Sequence, residues 1–350
     1  MVLSLLFQPK KLIQVARLMR EANRRGVEID QLPDYVAASL MRPKKADPAR
    51  HGLVPDVEVS TSPPRDDREL RAAEAAARAG DWEQAAALVA GTWLDWDRRA
   101  VVVHALAGIA AHDDTWLEKW RAARPDDRDL AVVHADALVQ LAWLVRGSAR
   151  ASRTTAEQFD GFHRVLVQAE EAARHATRVL PDDPTPWGTL LTLARGLSYD
   201  HDAFERLWDE LVKRDPHHRA GHEQALQYWC GKWSGSHELM IDFATRAAAK
   251  SPTLAGLPLR AAFELELDDA ADWKSVRPAI DVLLTLDEMS AADRGWLALA
   301  LVRTKRYAEA VEQFRALGTN ASGMPWRYYG DAAKLFFTEV RAEACQKAKP

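Results

Sequence analysis

Several features that would mark a secreted protein or a membrane protein are scarce in this chain. It has only two cysteines, Cys230 and Cys345, too few for a disulfide framework, so a reducing compartment is expected. No apolar run approaches the roughly 20 residues that span a bilayer, so stable membrane insertion is not expected. The apolar run Val2–Phe7 is too short for a secretory signal and precedes its basic pair, so the expected location is cytoplasmic.

The motifs and the charge of nucleotide-binding and nucleic-acid-binding proteins are also missing. The chain contains no Gly-x-Gly-x-x-Gly segment and no Walker A loop, and no cofactor is expected. The formal net charge of -4 at pH 7 gives no global preference for nucleic acid. Basic residues are concentrated at the start, because residues 1–50 contain ten Lys or Arg and five Asp or Glu.

The N-terminal part divides into two predicted segments. Residues 1–42 are predicted to form a basic helical segment, in which Leu12, Val15 and Met19 share one face. Residues 43–66 contain five prolines and little apolar periodicity, which predicts a proline-rich linker or an extended strap. The helical segment could dock on the main body or tether another protein.

Residues 67–350 have the pattern of consecutive helices. Breakers containing Pro125, Pro181, Pro216 and Pro252 follow one another at intervals of 56, 35 and 36 residues, and the last two intervals match helix-turn-helix repeats. Each helical pair has a one-sided apolar face that only a neighbouring pair can bury. We therefore predict an all-α fold, specifically a tetratricopeptide-like (TPR-like) α-solenoid of stacked antiparallel helix pairs, preceded by the N-terminal helical extension.

Two stretches carry TPR-like residues at corresponding places. In the first, Gly80 and Asp81 form the turn, Trp82 begins the second helix, and Ala85 is the small residue where two helices cross. In the second stretch the same roles fall to Tyr307, Ala310 and Phe314. Most tryptophans in such positions are expected to be core residues.

The middle of the chain also resembles a narrower group. An Ala-Trp-x-x-Arg-Gly segment (AWLVRG, residues 142–147) and a Lys/Arg-Trp-x-Gly-Ser turn (KWSGS, residues 232–236) make residues 126–250 similar to an uncharacterised family of bacterial TPR-like proteins. The sequence departs from that family where LPDDP (residues 180–184) replaces a simpler Leu-Asp-Pro breaker. The resemblance implies a helical-repeat fold and brings no established activity.

The stretch HHRAGHEQALQYWCGKWSGSHEL, residues 217–239, is the most unusual of the chain. We predict a helix over residues 217–233, then a turn, and a second helix that Ser236 caps and His237 begins. Helical spacing sorts the first helix into two stripes. The apolar stripe contains His218, His222, Leu226, Trp229 and Trp233, and the more polar stripe contains Gly221, Gln224, Tyr228 and Lys232.

This stretch admits several interpretations. His218 and His222, four residues apart, could share a metal ion, with His217 or Cys230 as a third ligand. Against this, His222 and Cys230 lie about 12 Å apart along a helix axis. Cys230 beside a histidine could be a nucleophile, but no catalytic signature surrounds it. An aromatic core that stabilises an irregular repeat explains the same residues without a ligand.

A partner-binding surface is the functional interpretation that we favour. Lys232, Trp233 and Arg146 would meet if the 217–247 hairpin faces the helix of residues 130–146, and cations beside aromatic rings grip peptides. Tyr228 is expected to join them. The final helix is expected to cap the solenoid, and the alternative is a second binding patch at Arg327 and Tyr328 at its start.

The expected function is that of a non-enzymatic adaptor or scaffold, which holds a protein or peptide partner on the concave face of the solenoid. The alternative is an enzyme or accessory factor with a small-molecule or metal pocket near His218, His222 and Lys232. An open groove with exposed cations would favour the first, and converging His, Cys and carboxylate groups would favour the second.

Overall fold

The computed structural model describes residues 47–62, 67–147, 155–268 and 270–348, together with Arg24. These residues form fifteen α-helices and several short 3-10 turns, and their only strand-like pairing is an isolated bridge between Ser60 and Asn320. The all-α prediction is confirmed. No helix among them has the length and apolarity to cross a membrane. Apart from Arg24, the predicted basic segment 1–42 lies outside the described residues.

The described residues fall into two compact units. The middle unit lies within residues 65–271, and the terminal unit combines the described residues before 64 with those after 272. The boundary near residue 271 lies inside the single domain that the sequence predicts for residues 67–350. The middle unit contains α1 Arg68–Arg78, α2 Glu83–Gly91, α3 Trp96–His112, α4 Thr115–Ala123, α5 Arg128–Arg146, α6 Ala156–Val179, α7 Thr185–Gly196, α8 His201–Arg214, α9 Arg219–Tyr228, α10 His237–Lys250 and α11 Leu257–Leu267. The terminal unit contains α12 Arg277–Leu284, α13 Ala291–Arg303, α14 Tyr307–Leu317 and α15 Ala333–Lys347.

Short polar side chains set the starts of many helices. The carboxylates of Asp67, Asp95, Asp127 and Asp200 accept hydrogen bonds from backbone N–H groups in the first turns of α1, α3, α5 and α8. Ser236 does the same for α10, so the predicted cap and the predicted start at His237 are confirmed. Such caps satisfy N–H groups that have no partner within the helix.

Helices of the middle unit pack mainly against their neighbours in sequence. From α5 onward, each helix contacts the next one, with α8 and α9 meeting through the rings of Phe204 and Tyr228. The alternate helices α5, α7, α9 and α11 also contact one another in series. One hydrophobic core lies among α1 to α5 and the end of α6. A second core extends from α5 to α11. Helix α5 contributes to both cores and therefore links them.

A buried ion-pair network fixes the start of this series. Arg99 on α3 is fully buried and donates from Nε to Asp183 at 2.6 Å and from Nη2 to Asp129 at 2.5 Å. Its Nη1 donates to the carbonyl of Val89 at 2.9 Å. Asp183, also fully buried, accepts a bond from the Thr185 N–H at the start of α7. One guanidinium thus joins α2, α3, the start of α5 and the segment before α7.

In the terminal unit, residues 47–62 lie against the C-terminal helices. Leu53 and Val59 are buried, and Ser60 exchanges backbone hydrogen bonds with the segment at Asn320. Arg341 on α15 pairs with Asp56 at 2.6 Å. Two further side chains donate to strap carbonyls, Arg315 to His51 and Lys334 to Val57. The described part of the predicted linker is therefore a strap, because two apolar anchors and several polar contacts attach it.

The Arg99 network can be tested by stability measurements. Arg99→Met leaves the buried Asp183 carboxylate uncompensated, so the free energy of unfolding should fall by roughly 3–5 kcal/mol. On the same helix, Arg98 forms a partly exposed ion pair with Asp67, and Arg98→Ala should cost less than about 1 kcal/mol. Urea denaturation of both variants measures the difference. Equal costs would show that the buried network does not organise the unit.

The strap can be tested by limited proteolysis with trypsin, which can cut after Arg50. Val59 is 3% exposed and Val57 is 83% exposed, so Val59→Asp buries a charge and Val57→Asp does not. Cleavage within residues 47–62 should accelerate at least tenfold in Val59→Asp and stay unchanged in Val57→Asp. Mass spectrometry of the fragments locates the cut. Equal rates in both variants and wild type would show that Val59 does not anchor the strap.

Candidate functional site

The first helix of the 217–239 stretch is shorter than the sequence predicts. It spans Arg219–Tyr228, and residues 229–235 form a compact turn before α10. The turn brings Gly235 so close to the backbone of Trp229 that a Cβ on Gly235 would collide with the Trp229 carbonyl. Helical periodicity therefore does not apply to Lys232 and Trp233, which project from the turn and not from a helix face.

The predicted placement of Tyr228 on a polar, partner-facing stripe is wrong. Its side chain is 0% exposed and stacks on Phe204 at 3.7 Å between ring centroids. Its hydroxyl donates to the carbonyl of Tyr199 at 2.7 Å, which satisfies the one polar atom. Trp229, predicted on the apolar stripe, is only half-buried. His218, His222 and Leu226 of the predicted apolar stripe are buried, and Tyr228 is buried in addition because Phe204 on α8 packs against it.

The two predicted metal-ligating histidines are both buried and occupied with structural contacts. His218 caps α9, where its Nδ1 accepts a hydrogen bond from the Gly221 N–H at 3.1 Å. His222 donates from Nδ1 to the His218 carbonyl at 3.0 Å and lies edge-on to Trp208. Burial lowers the pKa of His222 to about 4 and also lowers that of His218. Across the described residues, no group of three His, Cys, Asp or Glu side chains is arranged to hold a metal ion.

Cys230 lacks the surroundings of an activated nucleophile. The residue is buried, and burial raises the pKa of its thiol. A raised pKa keeps the sulfur protonated at neutral pH, whereas catalytic cysteines need a thiolate. The thiol sits 4.0 Å from the carboxylate of Glu264. This proximity to an anion also disfavours the thiolate.

Cations and indoles from successive helices form a cluster beside this turn. The Arg195 cluster, as we call it, consists of Trp143, Arg146, Arg195, Lys232, Trp233 and Glu264. Trp143 and Trp233 meet edge-to-face at 5.8 Å, so the 217–247 hairpin does face the C-terminal end of α5. Arg146 lies over the Trp143 ring at 5.5 Å. The structure thus brings together Arg146 and Trp233, two of the residues predicted for partner binding.

Arg195, at the end of α7, occupies the centre of the cluster. Its guanidinium carbon lies 5.4 Å from the ring centroid of Trp143 and 5.3 Å from that of Trp233. Nη1 donates to the side-chain oxygen of Gln224 at 3.1 Å. Burial lowers the pKa of Arg195 to about 10 against the opposing charge of Glu264, so the side chain is still protonated at neutral pH.

Lys232 is exposed, but its amine already forms an ion pair within the protein. Its Nζ forms an ion pair with Glu264 at 2.6 Å, and the two side chains are 43% and 9% exposed. Gln227 donates to the other carboxylate oxygen of Glu264 at 2.7 Å. Glu264 on α11 therefore ties the turn to the next helix. The lysine both neutralises a nearly buried carboxylate and presents part of its length to solvent.

The remaining predicted site residues belong to the terminal unit. Arg327 and Tyr328 are exposed on a 3-10 turn, Trp326–Ala332, and the final helix begins after it at Ala333. Trp326 of the same turn is buried against Phe314 and Phe337. The turn therefore has a core-facing tryptophan and an outward-facing pair.

Sequence reasoning missed Arg195 and Glu264. Both lie in ordinary helical segments, and neither has a neighbouring residue that marks a site. Arg195 is 38 residues before Trp233 in sequence, so only the packing of α5, α7, α9 and α11 brings them together. A periodic spacing within one helix could not have identified this arrangement.

Comparison with known proteins gives no family for the chain: no protein-family model matches it, and neither a curated protein nor a solved structure is significantly similar to it.

The histidine assignment predicts a specific pH dependence. The pKa of His222 is lower in the folded protein than its usual 6.5, so the unfolded chain binds a proton first as pH falls. The stabilising contribution of neutral His222 is complete above about pH 7 and decreases as pH falls from 6.5 toward 4. Between pH 7 and pH 5 the loss should be about 2 kcal/mol.

Thermal melts of wild type and His222→Gln at both pH values isolate this contribution, because the variant should lose less stability on acidification. His163→Gln on the exposed side of α6 is the matched control and should behave as wild type. Identical pH dependence in wild type and His222→Gln would contradict the burial of a neutral imidazole.

Proposed function

We propose that this protein is a non-enzymatic adaptor or scaffold, built as a TPR-like α-solenoid, that holds a protein or peptide partner. The proposal includes membership of the bacterial TPR-like family that residues 142–147 and 232–236 resemble. The observation that carries it is the Arg195 cluster, in which positively charged and aromatic side chains from several consecutive repeats converge.

The packing order supports a solenoid in the middle unit. Alternate helices α5, α7, α9 and α11 contact one another in series, while α6, α8 and α10 connect them. In a stack of helical pairs, the first helices of the pairs form one layer and the second helices form the other. A layer of first helices is the surface on which such stacks hold an extended partner.

The residues of the Arg195 cluster all come from this one layer. Trp143 and Arg146 lie on α5, Arg195 lies on α7, and Glu264 lies on α11. Lys232 and Trp233 follow α9 directly. A partner that extends along the layer would meet the exposed Lys232 and the half-exposed Trp143, Arg146 and Trp233. Exposed indole edges and cations are the groups that anchor partners at many protein interfaces.

The alternative function, an enzyme or accessory factor with a pocket near His218, His222 and Lys232, has less support. His218 and Lys232 lie at opposite ends of α9, and ten residues of helix separate the ends by about 15 Å. Both imidazoles make structural contacts with backbone groups. These three side chains therefore do not form one reaction site.

A peptide-selection experiment tests the scaffold function. A displayed random peptide library is selected on the wild-type protein, and affinities of the selected peptides are measured by fluorescence anisotropy. Lys232→Glu replaces a cation by an anion at the edge of the cluster, so it should weaken binding at least tenfold, about 1.4 kcal/mol. Lys250→Glu makes the same charge change at an exposed position of α10 and should leave the affinity unchanged.

Stability must be followed in parallel, because Lys232→Glu also removes the partner of Glu264. Lys232→Gln, which is uncharged, keeps the fold closer to wild type and should weaken binding less than Lys232→Glu does. The scaffold proposal fails if no peptide is selected, or if Lys232→Glu and Lys250→Glu bind selected peptides equally.

A further inference from the structure

Arg195 is half-buried with a buried Nε, and it lacks the counter-ions that the fully buried Arg99 of the same unit has. Arg99 contacts two carboxylates, whereas Arg195 forms no ion pair with any residue that the structure describes. Its one hydrogen bond within that part of the chain runs from Nη1 to Gln224, a neutral side chain. A guanidinium taken out of water normally needs an anionic partner. Here the described residues hold the cation without supplying the anion.

The donors of Arg195 that lack an acceptor lie along one edge of its guanidinium. Nη1 is engaged with Gln224, while the buried Nε has no hydrogen-bond partner among the described residues. Nε and Nη2 point in parallel along the opposite edge, which is the pair of donors that binds the two oxygens of a carboxylate. The indole N–H of Trp233, whose ring lies 5.3 Å away, is also buried and lacks a partner in the described chain.

The formal charges of Arg195, Lys232 and Glu264 sum to +1, so these three residues leave room for one negative charge. Glu264 is already neutralised by Lys232, with which it pairs at 2.6 Å. The positive charge of Arg195 therefore remains uncompensated. A monoanion would complete the balance, whereas a phosphate dianion would exceed it.

We propose that Arg195 is a binding site for the carboxylate of a ligand, held by the Nε–Nη2 edge and supported by the indole N–H of Trp233. The guanidinium lies 5.4 Å from the Trp143 ring and 5.3 Å from the Trp233 ring, and these two rings meet edge-to-face at 5.8 Å. Aromatic surface therefore lies beside the donors, so the group attached to the carboxylate is apolar. A free organic acid and an acidic side chain of a bound peptide carry the same chemistry. The site does not depend on the scaffold function, because a free acid binds it without any peptide.

Small probes with matched neutral analogues test the site by ligand-observed NMR titration. Phenylacetate should bind the wild-type protein with a dissociation constant in the millimolar range, and phenylacetamide should bind at least tenfold more weakly. Acetyl-Phe-Glu-amide and acetyl-Phe-Gln-amide form the corresponding peptide pair. Tighter binding of phenylacetate than of the Glu peptide assigns the site to free acids, and the reverse order assigns it to peptide side chains.

Variants connect the binding to the guanidinium. Arg195→Lys keeps the charge but lacks the parallel donors, so it should weaken phenylacetate binding at least threefold, and Arg195→Met should abolish it. Arg174→Gln removes a surface arginine of the same unit and should bind as wild type. The melting temperature of Arg195→Met should not fall, because an uncompensated buried charge contributes nothing to the fold.

Three results would overturn the proposal. The first is equal binding of each acid and its amide, and the second is unchanged acid binding in Arg195→Met. The third is phenyl phosphate binding that is at least tenfold tighter than that of phenylacetate. The result of the peptide selection does not affect these titrations. The selection measures peptide binding by Lys232 variants, whereas the titrations measure acid binding by Arg195 variants.

Discussion

The middle unit depends on the burial of one guanidinium between two carboxylates. Arg99 lies inside the protein, where a charge is tolerated only if it is paired, and its partners Asp129 and Asp183 come from two distant points of the sequence. Meeting this requirement fixes where α5 begins and where the chain enters α7. These two helices then lie side by side, and their C-terminal ends carry Trp143 and Arg195.

Arg99, which is fully buried, and Arg195, which is half-buried, both lose hydration of a positive charge. The surroundings of the two charges differ. The protein pairs Arg99 with its own carboxylates, which makes that residue part of the framework. It places two indole rings and the Gln224 amide beside Arg195, and no described carboxylate forms an ion pair with it. If only the stability of the fold mattered, an apolar side chain would be favoured at position 195. The retention of a charge there is physically sensible if the counter-ion comes from a ligand.

Expectations that depend on residues close together in sequence are confirmed, whereas those that depend on contacts between distant helices are less reliable. Ser236 caps α10 as expected, because a cap needs only the side chain and the backbone three residues later. The placement of Tyr228 is wrong, because its burial is decided by Phe204 on another helix. The sequence predicts either a linker or an extended strap for residues 43–66 and does not decide between them, since the anchors Leu53 and Val59 are isolated apolar residues without periodicity.

The sequence by itself determined that the chain is helical and where many helices begin, since periodicity and capping act over a few residues. Only the tertiary structure decided which charges are paired. Lys232, expected to be available for a partner, is held by Glu264, and Arg195, which no motif marks, forms no ion pair with the residues that the structure describes. Ion pairing depends on the distance between atoms, and residues that lie far apart in sequence reach that distance only when helices pack.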